Sequence, residues 1–215
     1  EDLQGFTQCH FFAGIGGWSY ALRLAGWSDA TPVWTGSCPC QPFSSAGNHR
    51  GTADPRHLWP AWFSLIKECK PSVIFGEQVE TAIKHGWLDG VSNDLESEGY
   101  AFGSAVLPAC SVGAPHIRKR LWFVAESDSY RSNTPVSGIH GTPQTSATSD
   151  RTKFLVTGEH WRTYNSLPGT DHRLRRCKPG VDLLVDGVPG TLELLRGYGN
   201  AIVPQVAAVF IRSNQ

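Results

Sequence analysis

"TQCHFFAGIGGWSYALRLAGW" occupies residues 7–27, and its two halves carry different periods. Residues 7–12 are an apolar run that ends in Ala-Gly-Ile-Gly-Gly, and "WSYALRLAGW" (18–27) then repeats apolar residues at helical spacing. The stretch predicts a strand, a glycine turn and a helix. Small residues in such a turn let the backbone approach a ligand, and the first helical turn offers unpaired N–H groups. The full dinucleotide fingerprint is not present, because Ser19 stands where its last glycine is expected. By itself the loop reads either as a cradle for a nucleotide-like cofactor or as a tight turn.

The alternation continues along the chain. "VWTGS" (33–37) reads as a second strand, and "LWPAWFSLIKECK" (58–70) as a helix with a proline early enough for its first turn. "SVIFGEQV" (72–79) is apolar without alternation, the mark of a buried strand. Residues 81–100 are helical but weakened by two glycines, and "AFGSAVLPA" (101–109) and "KRLWFVAES" (119–127) are further strands. The predicted fold class is therefore α/β, a mostly parallel sheet with helices on both faces. Residues 127–150 are dense in Ser, Thr, Pro and Gly and read as a long loop or a disordered stretch. Residues 151–178 carry seven Lys/Arg against two acids, in a chain whose Lys+Arg and Asp+Glu both total 19. That local excess suits a phosphate backbone, or else a solvated basic face. "GYGNAIVPQVAAVFI" (197–211) reads as a glycine turn feeding a final apolar helix.

A length of 215 residues, 40% of them hydrophobic, suits one domain with at most a small appendage. No stretch is long and apolar enough to span a membrane, and "EDLQGFTQCH" (1–10) has no signal-peptide pattern, so a cytoplasmic protein is expected. The six cysteines, at 9, 38, 40, 69, 110 and 177, lack the paired spacing of a zinc site. They are expected to be free thiols, with no metal bound.

Three segments carry candidate chemistry. "SCPCQPF" (37–43) follows a predicted strand, and ligands of open α/β sheets bind outside the carboxyl ends of strands. The glycine and cysteine loops thus share one rim. A catalytic cysteine acts as thiolate and needs nearby positive charge or backbone donors, whereas a buried thiol is inert. "FGEQVE" (75–80) places Glu77 just after a buried strand, as a proton donor of raised pKa or as an ordinary loop-end acid. "HIRKRLWFVA" (116–125) puts Arg118 and Arg120 on one side if the segment is extended, with Arg120 either reaching the rim or solubilising an edge strand.

In order and spacing, "FFAGIGG" (11–17), "PCQPFS" (39–44), "EQV" (77–79), "HIRKR" (116–120) and "GYGNAIVPQVA" (197–207) resemble the DNA (cytosine-5) methyltransferase family, of the bacterial restriction-modification or phage type. The resemblance implies a Rossmann-like S-adenosylmethionine-dependent methyltransferase fold. It also implies a catalytic and cofactor-binding domain at 1–126, a target recognition region at 127–185, and a segment 186–215 that packs back on the catalytic domain. The implied activity is methyl transfer from S-adenosyl-L-methionine to C5 of cytosine in double-stranded DNA by a monomer, after the base has been flipped out. Cys40 would be the nucleophile adding to C6, Glu77 the acid at N3, and Arg120 the group steadying O2 with Arg118 in support. Phe12, Gly14, Ile15, Gly16 and Gly17 would form the cofactor loop, with Pro39, Leu58, Asn200, Ala201 and Ile202 completing the pocket. Gln41, Ser44, Arg162, Arg173, Arg175 and Arg176 would contact DNA, and Cys38 would be structural.

Three departures from the family pattern stand out. Gln78 replaces an asparagine, and His116 stands where a glutamine is usual. Between "LRLAGW" (22–27) and "VWTGS" there are only five residues, where the family carries two more strands, a helix and an acid for the cofactor's ribose. So short a link is expected to be strained, which favours missing residues over a true deletion. Two other readings stay open: a degenerate relative that binds DNA without methylating it, and an unrelated metal or redox protein using Cys-Pro-Cys.

Overall fold

The computed structural model describes residues 5–39, 58–133 and 200–215, together with the backbone of 165–168 and 174–177. Its centre is a five-stranded sheet built from β1 (Gln8–Phe11), β2 (Val33–Gly36), β3 (Val73–Val79), β4 (Tyr100–Pro108) and β5 (Lys119–Ser127). The spatial order is β1-β2-β3-β5-β4. The first three strands pair in parallel, and β5 runs antiparallel to both β3 and β4. Four strands therefore share one direction, and the expected mostly parallel sheet is observed.

Helix α1 (Gly17–Ala25) links β1 to β2, α2 (Trp59–Cys69) lies between β2 and β3, and α3 (Trp87–Ser97) precedes β4. The boundaries follow from local chemistry. Gly16 and Gly26 flank α1 in the left-handed conformation. Proline opens α2, which ends at left-handed Lys70 just before Pro71. A 3₁₀ turn over Glu80–His85 precedes α3, so the helix expected across 81–100 is broken at left-handed Gly86. A short α4 (Asp128–Asn133) follows β5, where the composition had suggested loop. Two further strands, β6 (Asn165–Pro168) and β7 (Leu174–Cys177), pair antiparallel. The chain ends in α5 (Pro204–Arg212).

Alternation on the strands divides the core into two layers. Val73 and Phe75 of β3 and Trp122 and Val124 of β5 point to one face, where α1 and α5 cover them. Ile74, Leu121, Phe123 and Ala125 point to the other, under α2 and α3. Seven of the eight tryptophans, at 18, 27, 34, 59, 62, 87 and 122, are buried in these layers. Large rings thus fill a core whose sheet is only five strands wide. Arg212 of α5 donates to the carbonyl oxygens of Leu24 and Ala25, satisfying acceptors that the end of α1 leaves unpaired.

The short link at 28–32 is not strained. The Ala30 N–H donates to the Ser28 hydroxyl at 3.2 Å, the Thr31 N–H to the Ser28 carbonyl at 3.0 Å, and the Trp27 indole to the Thr31 carbonyl at 3.1 Å. Thr7 Oγ1 donates to the Asp29 carbonyl at 2.8 Å, and no link residue has a positive φ. The expected strain is absent because the turn's backbone groups find partners inside the turn and on the segment leading into β1. Consequently β1 pairs with β2 alone and forms the sheet's edge among the described residues.

Gly76 is required by packing. A Cβ there would overlap the ring of Phe123, whereas one at Gly103 meets only Val124 Cγ1 at 3.5 Å. Gly76→Ala is therefore expected to lower unfolding stability by about 1–3 kcal/mol through overpacking, and Gly103→Ala to stay within about 1 kcal/mol of the parent, as measured by urea denaturation.

Candidate active site

The strand directions fix which loops meet. The carboxyl ends of β1, β2, β3 and β4 and the start of β5 lie at one rim of the sheet. The glycine turn after β1, Ser37–Pro39 after β2, the end of β3 and the β4–β5 connection therefore converge there, where open α/β sheets take ligands.

Glu77 lies inside β3 rather than just after it, within the strand read over 72–79. Its register partner on β5 is Trp122, and Arg120 pairs with Val79. Glu77 and Arg120 are diagonal neighbours on the same face of an antiparallel pair, within reach of long side chains. Arg120 Nε donates to Glu77 Oε1 at 3.0 Å, with the carboxylate buried. Burial pushes the Glu77 pKa above the usual carboxylate range. The Arg120 charge, a hydrogen bond from Ser37 and the more distant Arg118 charge oppose that shift without cancelling it. Glu77 is thus a buried acid that holds its proton more tightly than an exposed glutamate.

Arg118 and Arg120 do not lie along one extended segment. Arg118 has φ +31°, and its guanidinium donates to the Ala201 carbonyl at 2.8 Å. Its contact therefore ties the segment before α5 to the β4–β5 connection. Arg120 is on β5, an interior strand between β3 and β4, not on an edge strand. Burial, and to a lesser degree the Arg118 charge, lowers the His116 imidazole pKa.

The glycine turn is shaped as a cradle. Gly14 and Gly16 have positive φ, and a Cβ built on either would meet nothing within 4 Å among the described residues. At Gly17 a Cβ would come 2.7 Å from Ile202 Cγ1. That contact brings the C-terminal segment against the first turn of α1. Ile15 is exposed, and Phe12 sits edge-on to Trp62 of α2 at 6.2 Å, with a positive φ of its own. Leu58 precedes α2 as its N-cap, Pro39 is partly buried, and Asn200 and Ala201 lead into Ile202. The extra strands on which the resemblance places the ribose acid are not present between Trp27 and Val33, where residues 28–32 form a turn.

Cys38 is buried, and its thiol is pushed well above the ordinary value by burial and by the Glu77 charge, away from thiolate chemistry. Gln78 Nε2 donates to the Cys38 carbonyl at 3.4 Å while its Oε1 accepts from the Val79 N–H at 2.9 Å. The longer amide thereby fastens β3 to the start of the cysteine loop. Cys40, Gln41, Ser44, Arg162 and Arg173 lie outside the described residues. Arg175 and Arg176 are on β7, opposite Leu167 and Ser166.

Sequence reasoning missed two polar pairs. His10 Nδ1 and Thr35 Oγ1 are 2.7 Å apart on register-paired positions of β1 and β2, and the Trp18 indole donates to Ser37 Oγ at 3.0 Å. The first had a signal, a polar residue at the same position of each of two mostly apolar strands. The second had none, since indole and hydroxyl are nineteen residues apart.

The sign of the Glu77 shift gives a test. A carboxyl whose folded pKa is raised adds stability in acid, and that contribution is lost as pH rises from the ordinary carboxylate range through the folded value. Relative to wild type, Glu77→Gln is therefore expected to gain in melting temperature as pH rises from acid towards neutral. A gap independent of pH would contradict the assignment.

The C-5 cytosine-specific DNA methylase family matches residues 32–160, well over half of the chain. The Type II methyltransferase M.AluI of Cellulosimicrobium cellulans is 32% identical over 48% of this chain and 22% of its own length. M.HhaI of Haemophilus parahaemolyticus is 33% identical over 40% of this chain and 28% of its own length. M.AplI of Arthrospira platensis is 25% identical over 81% of this chain and 62% of its own length. The chain thus spans well under two thirds of M.AluI and M.HhaI. The family match covers the buried acid, its arginine and the loop that begins at Pro39, and on that ground this chain belongs to the C-5 cytosine-specific DNA methylases.

Proposed function

We propose that this chain is a DNA (cytosine-5) methyltransferase acting on double-stranded DNA as a monomer in a bacterial or phage-infected cytoplasm. The relatives named as Type II methyltransferases favour a restriction-modification setting. The observation that carries the reading is a buried Glu77, its pKa raised by burial, held by Arg120 at the rim it shares with the glycine turn and the strand leading to Pro39-Cys40-Gln41.

The cradle at Gly14 and Gly16 fits the close approach of a small polar ligand, and Phe12, Ile15, Gly17, Pro39, Leu58, Asn200, Ala201 and Ile202 would hold S-adenosyl-L-methionine around it. The fit is incomplete at the ribose, because the turn at 28–32 stands where the resemblance places the strands that carry its acid. When bound, that cofactor supplies an electrophilic methyl group. Cys40 adds as thiolate to C6 of an extruded cytosine, and Glu77 presents its proton to N3 as charge develops there. Arg120 serves twice, orienting the acid and facing O2. Arg118 assists by anchoring the 200–203 segment. Loss of the C5 proton to a base then expels Cys40.

In this scheme 1–126 forms the catalytic domain, 127–185 the target recognition region with Arg162, Arg173, Arg175 and Arg176 on DNA, and 186–215 the returning segment. Gln41 and Ser44 would contact DNA beside the nucleophile.

The test uses tritiated S-adenosylmethionine and cytosine-containing duplex DNA. Cys40→Ser is expected to lose methyl transfer by about a thousand-fold or more, and Glu77→Gln by about a hundred-fold. A duplex carrying 5-fluorocytosine should become covalently attached to wild type but not to Cys40→Ser. DNA binding without transfer by the wild-type chain would instead identify the degenerate relative.

A further inference from the structure

Ser37 lies between two groups whose hydrogen-bonding polarity is fixed. An indole nitrogen can only donate, so in the Trp18–Ser37 pair at 3.0 Å the serine oxygen must accept. Its single proton is then free to be donated elsewhere; the parallel register that pairs Gly36 with Gly76 sets Ser37 alongside Glu77, whose carboxyl is lowered in pKa by the hydroxyl's hydrogen bond. The serine backbone is itself fixed, since its N–H donates to the Phe11 carbonyl at 3.3 Å and extends the β1–β2 ladder. The neighbouring Cys38 carbonyl is held by Gln78. On the opposite side Glu77 accepts from Arg120 at 3.0 Å.

We propose that Ser37 is a positioning residue for the acid: Trp18 sets the direction of its hydroxyl, and the hydroxyl orients the Glu77 carboxyl from the side opposite Arg120. The chain Trp18–Ser37–Glu77–Arg120 then joins the first turn of α1 to the centre of the sheet. Trp18 follows Gly17 directly, so a displacement of the glycine turn is transmitted to the donor that orders the serine. The acid and the candidate cofactor loop are thus connected through two hydrogen bonds.

The charged and titratable groups acting on Glu77 among the described residues are Arg120 from β5, Arg118 from the β4–β5 connection and the Cys38 thiol beside Ser37. The helices on that face contribute Arg23 and Arg212, both in their last turns. Arg212 is engaged with the Leu24 and Ala25 carbonyls, at the end of α1 remote from the rim. A hydrogen bond donated to the ionised carboxylate favours that form, so its loss moves the titration upward.

The functional meaning rests on Glu77 being the reaction's acid; the contact does not, and the experiment separates the two. Carbon-13 NMR of glutamate-labelled protein, assigned with Glu77→Gln, follows the Glu77 carboxyl through its titration. Ser37→Ala is expected to raise the midpoint by about one pH unit, and Ser37→Thr, which restores a hydroxyl, to return it to the wild-type position. Trp18→Phe removes the indole donor and should shift the midpoint in the same direction by less. A folded Ser37→Ala or Trp18→Phe protein with the wild-type midpoint overturns the proposal. Should Ser37→Ala shift the midpoint in a chain that transfers no methyl group, the positioning role stands and the catalytic reading of Glu77 falls. In an active enzyme, the limb of the pH–rate profile set by Glu77 should move with the NMR midpoint in Ser37→Ala and recover in Ser37→Thr.

Discussion

The site depends on burying a carboxyl group in the middle of a sheet. Removing a carboxylate from water costs several kcal/mol unless charge and hydrogen bonds replace the solvent. Here the replacement comes from one antiparallel pairing. Because β5 enters between β3 and β4 in reverse, the register that sets Trp122 beside Glu77 also sets Arg120 on the diagonal. A one-residue slip would move Arg120 to the α2 and α3 face and leave Glu77 buried without its cation. The same register brings Gly76 beneath Phe123, so steric fit and charge pairing enforce one alignment.

Much of this was legible because strands and helices leave different periods. Residues 7–27 gave the first βα unit, and the apolar run at 72–79 gave the central strand. What could not be read was where elements end and which way side chains meet. Glu77 falls in the stretch read as a strand yet looked like a residue just past it, because a charge after an apolar run usually marks a strand's end; Arg120, forty-three residues later, is what lets the charge sit within the strand. Arg118 and Arg120 looked like a pair because alternation assumes extended backbone, an assumption the left-handed φ of Arg118 breaks. The link at 28–32 looked too short because counting residues says nothing of the hydrogen bonds a turn makes with itself.

The tryptophans, without an account at the level of composition, have one in packing. A narrow sheet needs large side chains to fill two layers, and the indole rings meet edge to face across both. Trp18 and Trp122 do so at 5.7 Å and 81°, and Trp59 and Trp62 at 5.6 Å and 85°. Such rings also carry a donor, which some of them place. Trp59 gives its N–H to Asp94 at 2.7 Å, while Trp18 gives its own to Ser37 and so brings part of the core to the rim.

The edge position of β1 has a consequence for how this sheet can grow. Half of the strand's amide and carbonyl groups face outward with no strand beside them among the described residues. The turn at 28–32 closes on itself and on the approach to β1, and leaves the α1–α5 contact to Arg212. Extra strands spliced into that turn would dock laterally, like boards added to the side of a deck, while the acid, its arginine and the interior stayed in place.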